Sequence, residues 1–497
     1  MSYKKAYLAL TEVFTRLYRY QHLAQIAGWD QHTMMPDRGS EARTAAMAEL
    51  GVLMHRTITD PLLKTSLAEA EQEDLSDMER ANLREMRRRW QRANLLPSTL
   101  VEAQTLAGMR CEHAWRDQRQ ANDWNGFLAN FREVVRLSRE EGVLLAEHTG
   151  SSPYDALMNK YEPGMQSTEI ERIFGDVKAW LPSLITQVRE RQAGETVLQP
   201  QGPFATEAQR ALGLDVMRRI GFDFDAGRLD VSVHPFCGGV SEDVRITTRY
   251  SEDDFTQSLM GIIHETGHAR YEQNLPRAWA HLPVGQARSM GIHESQSLSF
   301  EMQLGRHPGF LNSIAPLLRQ HLGGAHPAFE SANLVRFYSR VEPGFIRIDA
   351  DELCYPAHVI LRFEIERALI NSEIEADDIP ALWDEKMQAY LGIDTRGNYK
   401  NGCLQDMHWS DGTFGYFPSY TLGAMYAAQY FASMRRVYPQ LDDEIAAGNF
   451  SHVFAWLNEH IWSQASRWET AELVRRATGE TLNPGHFRAH LEARYLA

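Results

Sequence analysis

The stretch His264-Glu265-Thr266-Gly267-His268 joins two imidazoles, four residues apart, to a carboxylate beside the first. It sits in the apolar, helix-periodic run Leu259 to Tyr271. On a helix such a pair lies on one face, about 6 Å apart along the axis, and can hold one metal ion. Glu265 then stands where it can take a proton from water activated by that ion. The chemistry this predicts is metal-dependent hydrolysis. Two solvated histidines on a helix flank are the plainer reading, but a polar pair in so apolar a segment is costly unless it is satisfied.

Ser251-Glu252-Asp253-Asp254 offers an N-cap and an acidic first turn, and Asn274-Leu275-Pro276 offers a stop. The expected helix runs from about 253 to 273. A catalytic zinc usually takes three protein ligands and leaves one position open. An extended H-E-x-x-H-x-x-G-x-x-H site is excluded, because Tyr271 and Asn274 stand where glycine and histidine are needed. Glu294, in Gly291-Ile292-His293-Glu294-Ser295-Gln296-Ser297, is the best third ligand. It falls on the next predicted helix, about 289–304, and a short connection lets that helix pack beside the first. The alternative for Glu294 is a surface carboxylate. Two imidazoles and one carboxylate suit Zn2+. The oxyanion formed during hydrolysis needs a second donor, for which Tyr416 or Tyr420 could serve, although either ring could equally be packed core.

Three further segments are unusually polar: His234-Pro235-Phe236, Ile346 to Asp351, and Gly402 to Trp409. Arg347 lies between two isoleucines and, if buried, needs a partner. A substrate carboxylate is one candidate and Asp351, four residues on, is another.

Helical periodicity runs through most of the 497 residues, at about 3–26, 41–54, 97–118, 124–147, 167–192, 204–219, 327–340, 356–373, 377–391, 419–436, 450–461, 467–477 and 484–495. The charged stretch Asp77 to Trp90 reads as a solvated face laced with ion pairs. Alternation at 228–233 and 243–250, with Gly238-Gly239 as a turn, predicts a small antiparallel sheet just upstream of the metal helix. The predicted fold is mainly α, a large helical body with a deep groove. It forms one domain over 1–497, with two lobes around that groove as an option. A net charge of −15 disfavours nucleic-acid and anionic-membrane partners. The four cysteines form no CxxC pair, and no secretory leader or membrane span is read, so a reducing cytoplasm is the expected compartment.

These segments together resemble the carboxypeptidase Taq family of metallocarboxypeptidases. Its motifs HPF, DxRxT, HExxH, HES-Q, IRxxAD and GxxQDxHW correspond to 234–236, 243–247, 264–268, 293–296, 346–351 and 402–409, and Trp29 to Pro36 resembles its early Trp-Asp…Met-Pro segment. The resemblance implies a fold similar to angiotensin-converting enzyme and neurolysin. It implies release of single C-terminal residues from peptides, with broad side-chain tolerance and poor action on C-terminal proline. It implies Zn2+, with Co2+ as a substitute, and a homodimer. It also implies that Arg347 and His408 hold the substrate terminus, while Arg245 and the segment of His234 close one end of the groove. An oligopeptidase or dipeptidyl carboxypeptidase would use the same zinc chemistry, and a helical scaffold with a structural metal would have no use for Glu265.

Overall fold

A computed structural model describes residues 4–324 and 326–496. The N-terminal layer consists of α1 (Lys5–Thr33), α2 (Ser40–Ile58), α3 (Pro61–Ala70) and α4 (Asp77–Leu95). Its small core joins Tyr7, Leu10 and Phe14 of α1 to Leu63, Leu67, Met86 and Leu282. A capping box starts α4: the Glu79 amide donates to the Ser76 hydroxyl, and the Glu79 carboxylate accepts from the Ser76 amide.

Next come α5 (Ser98–Gln120), α6 (Trp124–Thr149), α7 (Pro153–Met158), α8 (Ser167–Gln192) and α9 (Thr206–Arg219). Strands β1 (Gly227–Val231), β2 (Cys237–Val240) and β3 (Asp243–Thr248) follow. The remainder is helical: α10 (Thr256–Gln273), α11 (Met290–Leu298), α12 (Pro308–Leu322), α13 (Ser331–Tyr338), α14 (Tyr355–Ile370), α15 (Ile379–Leu391), α16 (Pro418–Val437), α17 (Leu441–Ala446), α18 (Ser451–His460), α19 (Thr470–Thr478) and α20 (Gly485–Leu496). The principal core runs from Cys111 to Tyr495 and gathers side chains from most of these helices. Among the described residues no helix is long and apolar enough to cross a membrane.

The mainly α expectation holds, and the sheet lies against α10 through Val244, Ile246 and Ile262. Its topology differs from the antiparallel element expected. The strand order is β1-β3-β2; β1 runs parallel to β3, and only β2 is antiparallel to it. Gly238-Gly239, read as a turn, lies within β2. The chain leaves β1, passes through 232–236, and returns in β2. The turn at Ser241-Glu242 then places β3 between the other two, so β2 itself forms the crossover that a parallel pair requires. Gly239 has φ 103°, and a Cβ there would meet the Asp243 carbonyl oxygen at 2.0 Å, so only glycine fits.

α12 was not among the helices expected from periodicity, and it contains two prolines, Pro308 and Pro316. Pro308 occupies the first turn, where its missing N–H costs nothing. The apolar face of Phe310, Leu311, Ile314 and Leu318 holds the helix despite the rung lost at Pro316.

Candidate metal centre and substrate pocket

α10 begins at Thr256, three residues later than expected, because Asp254 turns back and accepts from the Thr256 amide at 2.7 Å. Its inner face carries His264, Glu265 and His268. α11 lies against it at very short range: a Cβ on Gly267 would meet the Gln296 carbonyl oxygen at 2.5 Å. The glycine inside H-E-x-x-H therefore sets how closely the two helices approach. α16 closes the other side of α11, where a Cβ on Gly423 would meet the Glu294 Cβ and Cγ at 2.8 Å. Two glycine contacts thus grip α11 and fix where Glu294 points.

The Glu294 carboxylate spans the imidazoles, with Oε1 at 3.8 Å from His264 Nε2 and Oε2 at 3.5 Å from His268 Nε2. Two atoms bound to one zinc at about 2.1 Å in tetrahedral geometry stand roughly 3.4 Å apart. The ligand atoms of His264, His268 and Glu294 all lie within 4.8 Å of one another. The predicted third carboxylate is therefore brought to the predicted pair.

The outer nitrogens are also committed. Glu301 accepts from His264 Nδ1 at 2.9 Å. It sits on the π-helical turn Ser299–Gly305 that continues α11, and Arg306 holds its other oxygen at 3.3 Å. His268 Nδ1 lies 2.7 Å from His293 Nδ1, and His293 Nε2 lies 2.8 Å from Glu272. An ionised carboxylate only accepts, so His293 carries its proton on Nε2 and accepts at Nδ1. His268 must then donate from Nδ1, which leaves its Nε2 lone pair free. Both imidazoles thus turn Nε2 toward Glu294, the orientation that suits metal ligation once that nitrogen gives up any proton to an incoming cation.

Burial pushes the Glu265 carboxyl up to about 7, against the pull of His264. Burial opposes charge on His264, but Glu294, Glu301 and Glu265 raise its pKa to about 10, while burial and His293 bring His268 down to about 4. Three carboxylates surrounding two imidazoles give the centre surplus negative charge. With convergent nitrogen and oxygen donors, that fits a divalent cation.

The second cluster gathers at the start of α16, where Tyr416, Tyr420 and Tyr355 all feel the charge of Glu294. Arg347 is buried and does not pair with Asp351; Asp351 instead accepts from the amides of Glu342, Leu353 and Cys354. The partner of Arg347 is Asp406, with Nε to Oδ1 at 3.0 Å, and its Nη1 donates to the Tyr355 hydroxyl at 2.9 Å. Arg362 takes the other Asp406 oxygen at 2.6 Å. Although burial opposes ionisation, Arg362 and Arg347 hold the Asp406 carboxyl well below the usual carboxylate range. The guanidinium of Arg347 lies over the Tyr420 ring at 4.8 Å. His408 Nε2 is 3.3 Å from the Tyr420 hydroxyl, and Tyr416 packs edge-on to Tyr420 with ring centroids 5.2 Å apart. Burial and Arg347 lower the His408 pKa to about 4, so its ring is neutral near pH 7. Burial raises the Tyr420 phenol to about 12, which keeps its proton available. Arg347, His408, Tyr416 and Tyr420 therefore form one cluster. Asp406, Tyr355 and Arg362, which orient it, were not foreseen, and no spacing rule links them to Arg347.

Arg245 and His234 are not part of that cluster. Arg245 makes paired contacts with Asp243 at 2.8 Å and lies 4.5 Å above the Trp29 ring, whose other contact is Arg228 at 4.9 Å. It fastens α1 to the sheet. His234 is exposed in the β1–β2 connection, beside Phe236, whose ring meets His32 at 5.8 Å.

A mainly helical fold in which two imidazoles and a carboxylate converge, with the buried Glu265 carboxyl beside them, has the form of a metallopeptidase. The chain belongs to the carboxypeptidase Taq (M32) metallopeptidase family, whose sequence profile matches residues 9–495. It is 37% identical to thermostable carboxypeptidase 1 of Thermus thermophilus, over 100% of this chain and 99% of that protein. It is 32% identical to carboxypeptidase 1 of Bacillus subtilis, over 99% of this chain and 98% of that protein. Among solved structures, Trypanosoma cruzi metallocarboxypeptidase 1 superposes with a TM-score of 0.98 at 53% identity, covering 100% of both chains.

Proposed function

We propose that the chain is a zinc carboxypeptidase that releases single residues from peptide C-termini, with His264, His268 and Glu294 as metal ligands and Glu265 as general base. The reading rests foremost on the Glu294 carboxylate straddling the two Nε2 atoms. A divalent cation held there would supply Lewis acidity, acidifying water and polarising the scissile carbonyl. Glu265, kept near neutral pKa by burial, takes the proton of the attacking water and delivers it to the leaving amine. The Tyr420 or Tyr416 phenol donates to the oxyanion that develops at the carbonyl. Arg347, pre-oriented by Asp406 and Tyr355, takes the terminal carboxylate through its remaining N–H groups, and His408 holds the adjacent backbone.

Family likeness supports the finer parts of the proposal. These are broad specificity with poor action on C-terminal proline, Co2+ as a working substitute, Arg245 and the loop of His234 closing one end of the groove, one catalytic domain over 1–497, and a cytoplasmic homodimer. The deciding experiment is mass spectrometry of an unblocked peptide and its C-terminal amide, with and without chelator. A ladder of single losses from the free C-terminus, abolished by chelation and by amidation, is expected. Internal cleavage, or loss of residue pairs, would overturn the assignment.

A further inference from the structure

Glu85 of α4 is buried and receives three arginines. Arg84 Nε and Arg288 Nε lie at 2.9 and 3.0 Å from Oε1, and Arg88 Nε lies at 2.8 Å from Oε2. One carboxylate, with both oxygens taken, therefore faces three guanidinium groups. Arg89, the next residue along, adds a fourth positive charge. It is half-buried and makes no hydrogen bond, ion pair or ring contact among the described residues. Its guanidinium therefore has no protein acceptor among them, and like-charged neighbours add to the cost of leaving it without an anion. Burial and Arg88 both pull the Arg89 pKa below the ordinary guanidinium value.

Arg89 lines a cavity of about 180 Å3 bounded by α1, α2, α4 and the connection between α10 and α11. Phe14, Leu17 and Ile58 supply apolar wall, and His55 and Gln286 supply polar rim. The Tyr18 hydroxyl, also at this wall, is already committed to Glu242 at 2.8 Å. The space is smaller than the roughly 300 Å3 at which sites for drug-sized ligands begin. No residue of the metal centre or of the Arg347 cluster lines it.

We propose that this cavity binds a small monocarboxylate with an apolar body, its carboxylate paired with the Arg89 guanidinium and its body packed on Phe14, Leu17 and Ile58. Such a ligand supplies the anion that the arginine cluster lacks, in the paired geometry a guanidinium favours. Because Gln286 belongs to the segment joining α10 to α11, an occupant braces the N-terminal helices against the strap between His268 and Glu294.

The test is to soak crystals of the full chain with 4-bromobenzoate and, separately, with 4-bromobenzamide, and to locate bromine by anomalous scattering. The proposal expects a bromine peak in this cavity for the carboxylate and none for the neutral amide. In Arg89→Met, the concentration for half-occupancy should rise about tenfold or more. A cavity without bromine, equal peaks for carboxylate and amide, or an unchanged requirement in Arg89→Met would each overturn it. If Arg89→Met does not fold, the carboxylate–amide contrast in the unsubstituted protein decides alone.

Discussion

Gly423 of α16 lies against Glu294 of α11 so closely that a Cβ added to it would meet the Glu294 Cβ and Cγ at 2.8 Å. The proposed third ligand is thus aimed by a residue that has no side chain. Gly423→Ala should displace Glu294, cost about 1–3 kcal/mol in stability from overpacking, and weaken metal binding. Gly261 of α10 is the control, since a Cβ there meets nothing within 4 Å. Gly261→Ala should stabilise the helix by about 0.5–1 kcal/mol and leave metal affinity alone. Urea unfolding and chelator competition read both effects; equal behaviour of the two variants would remove the positioning role of Gly423.

The outer shell of the two histidines should be measurable apart from turnover. His293→Phe takes away the acceptor for His268 Nδ1, and Glu301→Ala takes away that for His264 Nδ1. Each should lower zinc affinity about 10–100-fold. The tautomer argument fails if chelator competition gives wild-type affinity for both.

Glu265→Gln keeps the shape of the base but cannot accept the proton. Metal content should match wild type, and kcat should fall about 100-fold or more. Retained turnover with bound metal would reject Glu265 as the base.

Arg347→Met should remove the discrimination between peptides with free and amidated C-termini, and lower kcat/KM for the free form by roughly 10–150-fold, the worth of a charged hydrogen bond. Asp406→Ala should act in the same direction, chiefly through KM, because it releases Arg347 and leaves Arg362 without its carboxylate. Steady-state kinetics on paired free and amidated peptides separates these effects from loss of fold.

Acid sensitivity should trace partly to Glu352. It is buried and accepts from His490 at 2.7 Å, Arg494 at 2.8 Å and Tyr495 at 3.0 Å, all on α20. Burial opposes its ionisation, yet Arg494 and His490 hold its carboxyl well below the ordinary value of 4.5. A depressed folded-state pKa contributes stability that is fully present above about pH 4.5 and is lost as pH falls toward the folded value. Glu352→Gln should therefore cost about 3–5 kcal/mol at pH 7, as expected for a broken buried pair, with the penalty shrinking below pH 4.5. Urea titrations at pH 7 and pH 4 check the sign; a penalty that grew with acid would contradict it.

The residues alone determined whatever depends on local repetition. A step of four on a helix placed His264 and His268 on one face, and the polar run around Glu294 marked the next helix as more than packing. Apolar periodicity located most helices of the large core to within a few residues, because burial of a helix face imposes a period of about 3.6. Tertiary structure decided what passes between elements. It chose Asp406 over Asp351 for Arg347, Glu301 and the His293–Glu272 chain for the two imidazoles, and Trp29 as a partner of Arg245. It also made the sheet mixed by inserting β3 between β1 and β2. The physical reason is that hydrogen bonding along a helix repeats with the sequence itself, whereas the meeting of distant side chains depends on how closely whole elements approach, and here Gly267 and Gly423 set that approach by leaving room for their neighbours.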